Sequence, residues 1–290
     1  MYRRCKRIPN TGATPLGSQN FSGFWKKLCL PGKQFLCGLL AAATLAIPAQ
    51  AVRTIPVQVD GQTLSGTSYL DSGVTYVPLR HLLDAFGGWN IRWDSAAQAA
   101  VAVSGSAKLT AVPAKNTITI NGKDFSGQVT VVNGRTYVPL RLVTEALGGS
   151  AEWDPYLDGA AVTSAGADYN ASDLYWMSRI ISAESGGEPL VGQIAVGNVV
   201  LNRVKSSEFP NTIPAVIFDQ QHAVQFEPVE NGTVYRTPTA QSVDAAQRAL
   251  SGENVIGEAL YFYAPALSQG VWINANRTYY QTIGCHRFYL

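Results

Sequence analysis

The run RIISAESGGEPLVGQIAVGNVVLNRVKSSEFPNTIPAVIF, residues 179–218, carries two helices and the break between them. Just upstream, Ser172 is placed to cap a helix whose apolar positions Leu174, Met177, Ile180 and Ile181 share a face and which ends near Glu184. Ser185-Gly186-Gly187 breaks that helix. Pro189 then suits the first turn of a second one, because the N–H it lacks is among those a helix start leaves unpaired anyway. The segment LVGQIAVGNVVLNRVKSS (190–207) is apolar on more than one side, the pattern of a buried central helix. A third helix is expected from Thr237 as cap, with Pro238 in its first turn, to Leu250, followed by two aromatic strands, ALYFYAP (259–265) and CHRFYL (285–290). The reading is a mostly helical domain with a small β-sheet over 179–290, joined by a linker and helix start over 166–178.

The preceding stretch is of a different kind. GVTYVPLRHLLDAFGG (73–88) superposes on GRTYVPLRLVTEALGG (134–149), and VQVDGQTLSG (57–66) on ITINGKDFSG (118–127), both at an offset of 61 residues; Trp93-Asp94 and Trp153-Asp154 follow at 60. This is an internal duplication, with units of about 52–105 and 112–165. Asp60-Gly61 and Asn121-Gly122 between alternating apolar residues predict hairpins, since Asp/Asn-Gly accepts the two positive φ angles of a type I′ turn. TYVP reads as a strand whose proline sits where no ladder bond is needed, the residues after it as a helix, and Gly-Gly as that helix's end. The fold class expected for the whole is therefore α+β: a duplicated small α+β domain over 52–165, then the mostly helical one.

The charge balance separates a leader from the rest. Of 22 Lys and Arg, seven lie within residues 1–51, together with none of the 20 Asp and Glu, and the apolar stretch FLCGLLAAATLAI (35–47) runs into AIPAQA with Ala49 and Ala51 in a small-x-small pattern. That is the form of a secretory signal peptide cleaved after Ala51, an uncleaved signal anchor being the alternative. Without the leader, 239 residues carry 15 basic against 20 acidic groups, so the +2 of the full chain becomes −5. A basic nucleic-acid-binding surface is not indicated, and no nucleic-acid partner is expected. Cys285 alone of the four cysteines remains, so no disulfide can form within the mature chain and the thiol reads as buried and inert.

Candidate chemistry narrows to carboxylates. His81, His222 and His286 have no ligand spacing with one another or with a cysteine, so no metal and no cofactor are expected, and there is no G-x-S-x-G elbow, P-loop or dinucleotide fingerprint. Glu184 ends an apolar helix beside Ile180, Ile181 and Ala183. The negative helix end and the apolar surroundings both disfavour its ionised form, and a carboxylic acid held protonated near neutrality is what general-acid cleavage of a glycosidic bond requires. A solvated surface glutamate is the alternative on these grounds alone. Glu188 is either a second carboxylate or a first-turn acid of the next helix.

The run over 179–218, with QFEPV (225–229), ALYFYAP and GCHRFY (284–289), closely resembles the SleB/CwlJ cell wall hydrolase family, the spore cortex-lytic enzymes. The resemblance implies a lysozyme-like fold that cleaves peptidoglycan strands, typically as a lytic transglycosylase, with Glu184 as its catalytic acid/base. It also implies secretion to the cell wall or spore cortex and a part in cortex lysis during germination. Gln225, Phe226, Tyr261, Tyr263 and His286, with Glu188, are then expected to line the glycan site, packing being the alternative for each. No partner carboxylate stands in the motif, so the C6 hydroxyl of muramic acid is the expected nucleophile, with hydrolysis by water as the alternative. A non-catalytic wall-binding or scaffold protein is the competing hypothesis.

The duplicated half resembles the copper amine oxidase N-terminal-like domain, whose repeats share TYVPLR, EALGG and WD; nothing here supplies copper ligands, and no redox activity is implied. A wall or protein partner is expected for it, a spacer being the alternative. Its eight basic and nine acidic residues over 52–165 argue against simple electrostatic capture of an anionic polymer.

Overall fold

In both copies of the repeat, the proline of TYVP ends a strand and opens a helix: α1 (Leu79–Phe86) after Pro78 and α2 (Leu140–Ala146) after Pro139. The computed structural model describes residues 52–221 and 224–290, so the expected leader over 1–51 and His222 lie outside the described residues. The strands Val74–Pro78 and Arg135–Pro139 pair antiparallel with Val77 opposite Val138. Each of these valines is the other's duplicate, so the axis through the pair is a local two-fold and the repeat has folded as an internal pseudo-dimer. Each copy's hairpin also joins the other copy's strands. The Asp60-Gly61 hairpin lies parallel to Gly159–Thr163, and the Asn121-Gly122 hairpin extends the sheet containing Ala107–Val112 and Asn90–Asp94. All four turn residues take the expected positive φ, 47° and 80° in the first hairpin and 51° and 83° in the second. Leu79, Leu82, Leu83, Val77 and their counterparts Leu140, Val143 and Val138 form one shared core. A single unit could not bury these faces alone.

The remaining helices are α3 (Ala171–Ser185), α4 (Leu190–Lys205), α5 (Ile213–Ile217), α6 (Glu227–Glu230), α7 (Ala240–Leu250) and α8 (Val271–Asn276). Helix α4 is the central one, and ten of its residues are buried. It is approached closely at Gly197, where a side chain would meet Ile181 of α3 at 2.9 Å and Ala249 of α7 at 3.2 Å. The strand His286–Tyr289 lies between Tyr261–Tyr263 and Tyr279–Ile283. The strand Tyr279–Ile283 escapes the sequence reading because its tyrosines are exposed and give no apolar run.

Two helix starts differ from expectation. Asn170, not Ser172, caps α3, its Oδ1 accepting from the amides of Ser172 and Asp173. Thr239, not Thr237, caps α7 by accepting from Ser242 N. Ser172 is drawn elsewhere: its Oγ donates to Asp154 Oδ2 at 2.8 Å, and Trp176 Nε1 donates to the same oxygen at 2.7 Å. The other oxygen of this buried carboxylate accepts from Tyr156 N and Leu157 N. The Trp-Asp motif of the second repeat thus fastens α3, and Leu174 packs beside Gly61 of the first hairpin. Within the segment expected as linker and helix start, residues 166–170 lead into α3 at Ala171, seated on the duplicated half, and the described residues from 52 onward fall in one compact unit.

Candidate active site

Helix α3 is buried over most of its surface and carries Glu184 one residue before its end. The Glu184 carboxyl is pushed up to about 7. Burial is the largest cause, the charge of Glu227 adds to it, and Arg203 opposes both. Near neutrality the group is divided between acid and carboxylate, so it can give and take a proton in one cycle.

Arg203, in the last turn of α4, organises the surroundings. Its Nε donates to Leu260 O at 2.8 Å, and its guanidinium lies 4.8 Å from the ring centre of Phe209, 5.1 Å from Phe226 and 5.6 Å from Tyr261. Its Nη1 is buried with no hydrogen-bond partner among the described residues. Burial lowers the Arg203 pKa to about 10, against the pull of Tyr261, Asp219 and Glu184. A cation this shielded stays charged, and its field reaches the Glu184 carboxyl with little screening.

Tyr261 is half-buried, and its hydroxyl accepts from Arg277 Nη2 at 2.6 Å. The Arg277 guanidinium lies 5.4 Å from the exposed ring of Trp272, and the Tyr261 and Trp272 rings are 5.9 Å apart. Gln225 is half-buried immediately before Phe226. Glu184, Arg203, Glu227 and Tyr261 thus form one polar neighbourhood with aromatic walls.

The other expected site residues take structural positions. Phe226 is 2% exposed and packs near Phe262, so its ring offers a sugar no face. Tyr263 is buried, stacked on Tyr289 and bonded through its hydroxyl to Asn274. Glu188 is buried in the turn between α3 and α4, where Oε2 accepts from Cys285 N at 2.9 Å and its backbone carbonyl accepts from Gln193 and Gln241. His286 is buried edge-on to Phe262, its pKa lowered by burial and raised in part by Glu188. Cys285, expected as a buried inert thiol, is half-buried, and its backbone N–H donates to Glu188 Oε2.

Sequence reasoning missed Arg203, Glu227, Trp272 and Arg277. Arg203 and Glu227 stood inside quoted motifs, LNRV and QFEPV. A buried arginine in the last turn of a largely apolar helix was the available signal.

A helical bundle closed by a small sheet carries one partly buried carboxyl pushed up to about 7, in the fields of Glu227 and a buried arginine. The chain belongs to the cell wall hydrolase family: residues 187–289 match the Cell Wall Hydrolase model, and residues 58–158 match the Copper amine oxidase N-terminal domain model. The first match begins three residues after Glu184. The chain is similar to a spore cortex-lytic enzyme of Bacillus cereus, 38% identical over 41% of this chain and 45% of that protein. It is also similar to cell wall hydrolase CwlJ of Halalkalibacterium halodurans, 30% identical over 32% of this chain and 68% of that protein. A solved structure, the catalytic domain of the germination-specific lytic transglycosylase SleB from Bacillus anthracis, is 37% identical, with 42% of this chain and 98% of that one covered and a TM-score of 0.39. The match spans under half the length of the spore cortex-lytic enzyme.

Proposed function

We propose that the chain is a secreted peptidoglycan-cleaving glycosidase, with Glu184 as general acid/base on the bond between muramic acid and glucosamine. The observation that carries the reading is the Glu184 carboxyl held near 7 in a shielded site. As an acid it protonates the bridging oxygen, so the glucosamine leaves as an alcohol. As a carboxylate it then takes the proton of the muramic C6 hydroxyl while that oxygen closes onto C1, leaving an anhydromuramyl end. Arg203 steadies the carboxylate formed after the first step, and Glu227 favours return of the proton. Tyr261 and Gln225 serve as substrate contacts. Phe226, Tyr263, Glu188 and His286 act by holding the sheet and the turn behind the site.

Residues 52–165 serve as the accessory domain, 166–178 as its junction and 179–290 as the enzyme domain, delivered by a signal peptide over 1–51. The names of the relatives favour the spore cortex during germination as the setting. The test is digestion of purified sacculi and cortex by wild type and Glu184→Gln, with mass spectrometry of the products. Anhydro ends from wild type alone are expected. Release of no glycan ends overturns the enzyme reading, and reducing ends without anhydro products overturn the transglycosylase mechanism.

A further inference from the structure

Two surface grooves each begin at the proline before a helix of the repeat, then run over different strands. The groove beside α2 is lined by Lys123, Arg141 and Glu145 among apolar residues, and Arg141 pairs with Glu145 at 3.9 Å, so its charge is of mixed sign. The groove beside α1, about 470 Å³, is lined by Arg80, Arg92 and Arg135 with no acidic residue. Trp93, 43% exposed, and Val131, 48% exposed, stand among its lining residues, with His81 at the start of α1. Arg80 is fixed to Ile91 O at 2.9 Å, while Arg92 meets only the loose, exposed contact with Asp94 at 3.4 Å. The near-neutral total over 52–165 therefore conceals a local segregation of charge.

The second copy uses the corresponding surface internally. Trp153 has Arg53 over its face at 5.5 Å, and Arg53 is paired with Asp158. Asp154 next to it holds α3. In the first copy, Asp94 makes the same turn bonds, to Ala96 N and Ala97 N. The strand end that fastens the helical half in one copy faces the arginine-lined groove in the other.

We propose that the α1 groove binds peptide-bearing glycan strands through the free carboxylates of their side peptides, with Trp93 against a sugar ring. Planar guanidinium groups match carboxylates in two-point contacts, and an exposed tryptophan gives a sugar ring a flat apolar face. One repeat of a peptide-bearing glycan presents both chemistries within the reach of such a groove. The proposal rests on the reading of the chain as acting on wall glycan, and it makes residues 52–165 a second, non-catalytic foothold on that polymer.

The test uses the full chain carrying Glu184→Gln, so that binding is measured without digestion. Its co-sedimentation is measured with sacculi from which phosphate polymers have been extracted, with the same sacculi after amidase removal of the side peptides, and with unextracted walls. Arg92→Ala/Arg135→Ala and Trp93→Ala, all at exposed positions, are compared in the same background. The double arginine variant is expected to bind extracted, peptide-bearing sacculi at least about tenfold more weakly, as loss of one charge-assisted pair alone would give. Its binding to amidase-treated sacculi should match that of its parent, and parental binding should weaken with salt. Equal binding by variant and parent on peptide-bearing sacculi overturns the proposal. So does parental binding that is lost on phosphate extraction, which would assign the groove to a phosphate polymer, or that is unchanged by amidase. Cleavage of sacculi by the enzyme with Glu184 restored is scored separately, so an inactive enzyme with an arginine-dependent pellet refutes the catalytic reading and leaves the groove standing.

Discussion

Glu184→Gln should make the protein more stable above neutrality, and by an amount that depends on pH in one particular way. The carboxyl titrates near 7 in the native state against an ordinary value of 4.5, which stands for the unfolded chain. A native state that holds a proton more tightly than the unfolded one gains fully from it below the unfolded value. It loses that gain as pH climbs through the native one. The interval from 4.5 to about 7 corresponds to about 3 kcal/mol. Glutamine has nearly the same volume and no charge at any pH, so it escapes the loss. The difference in unfolding free energy, Gln minus Glu, should be small and flat below about pH 4, rise between about pH 4.5 and 7, and level off at about 3 kcal/mol. Urea unfolding of both proteins at pH 4, 6 and 8, extrapolated linearly to water, measures it directly. A pH-independent difference would show that Glu184 titrates as an ordinary glutamate. One that falls with pH would show a lowered pKa. Either result removes the basis for its role as a general acid.

The same electrostatics predicts opposite shifts in the pH dependence of activity on sacculi. Glu227→Gln removes a like charge, so the alkaline limb should move to lower pH, whereas Arg203→Met removes the opposing cation and should move it to higher pH; profiles that do not move place both residues outside the site's field. Asp154→Ala strands the buried Trp176 Nε1 and Ser172 Oγ donors and should cost about 2–4 kcal/mol by urea midpoint. Asp94→Ala, which removes only the shared turn bonds, should cost about 1 kcal/mol or less, and equal losses would mean that the bonds to α3 contribute nothing. Gly284→Ala places a Cβ against Glu188 Oε2 at a φ of +59°, so the melting temperature should fall; an unchanged one would show that the Glu188 contact with the Gly284-Cys285 turn is dispensable.

Much of the architecture was legible because its signals are local. Asp-Gly and Asn-Gly turns, TYVP strands, Gly-Gly stops and the break before Pro189 each depend on the backbone preferences of a few adjacent residues. The two misplaced caps have one cause: Ser, Thr and Asn offer the same oxygen over a short stretch, and distant contacts decide among them. Ser172 turned to Asp154, a residue from the other half of the chain. Glu184 was legible as a candidate because helix end, apolar neighbours and carboxyl are contiguous. Its electrostatic setting was not, since Arg203 and Glu227 come from α4 and α6.

The sequence by itself determined the duplication, the fold class, the break that places Glu184 at a helix end and the family to which residues 187–289 belong. These follow from residue order and spacing, which survive in one dimension. Tertiary structure alone decided how two equal copies were put to unequal use. Val77 facing Val138 set the two-fold, and α3 then occupied one Trp-Asp strand end and left the other beside three arginines. It also decided which expected site residues stay partly exposed, because burial depends on what packs across from a side chain. Phe226, Tyr263, Glu188 and His286 face other parts of the same domain, while Glu184, Gln225 and Tyr261 retain partial exposure.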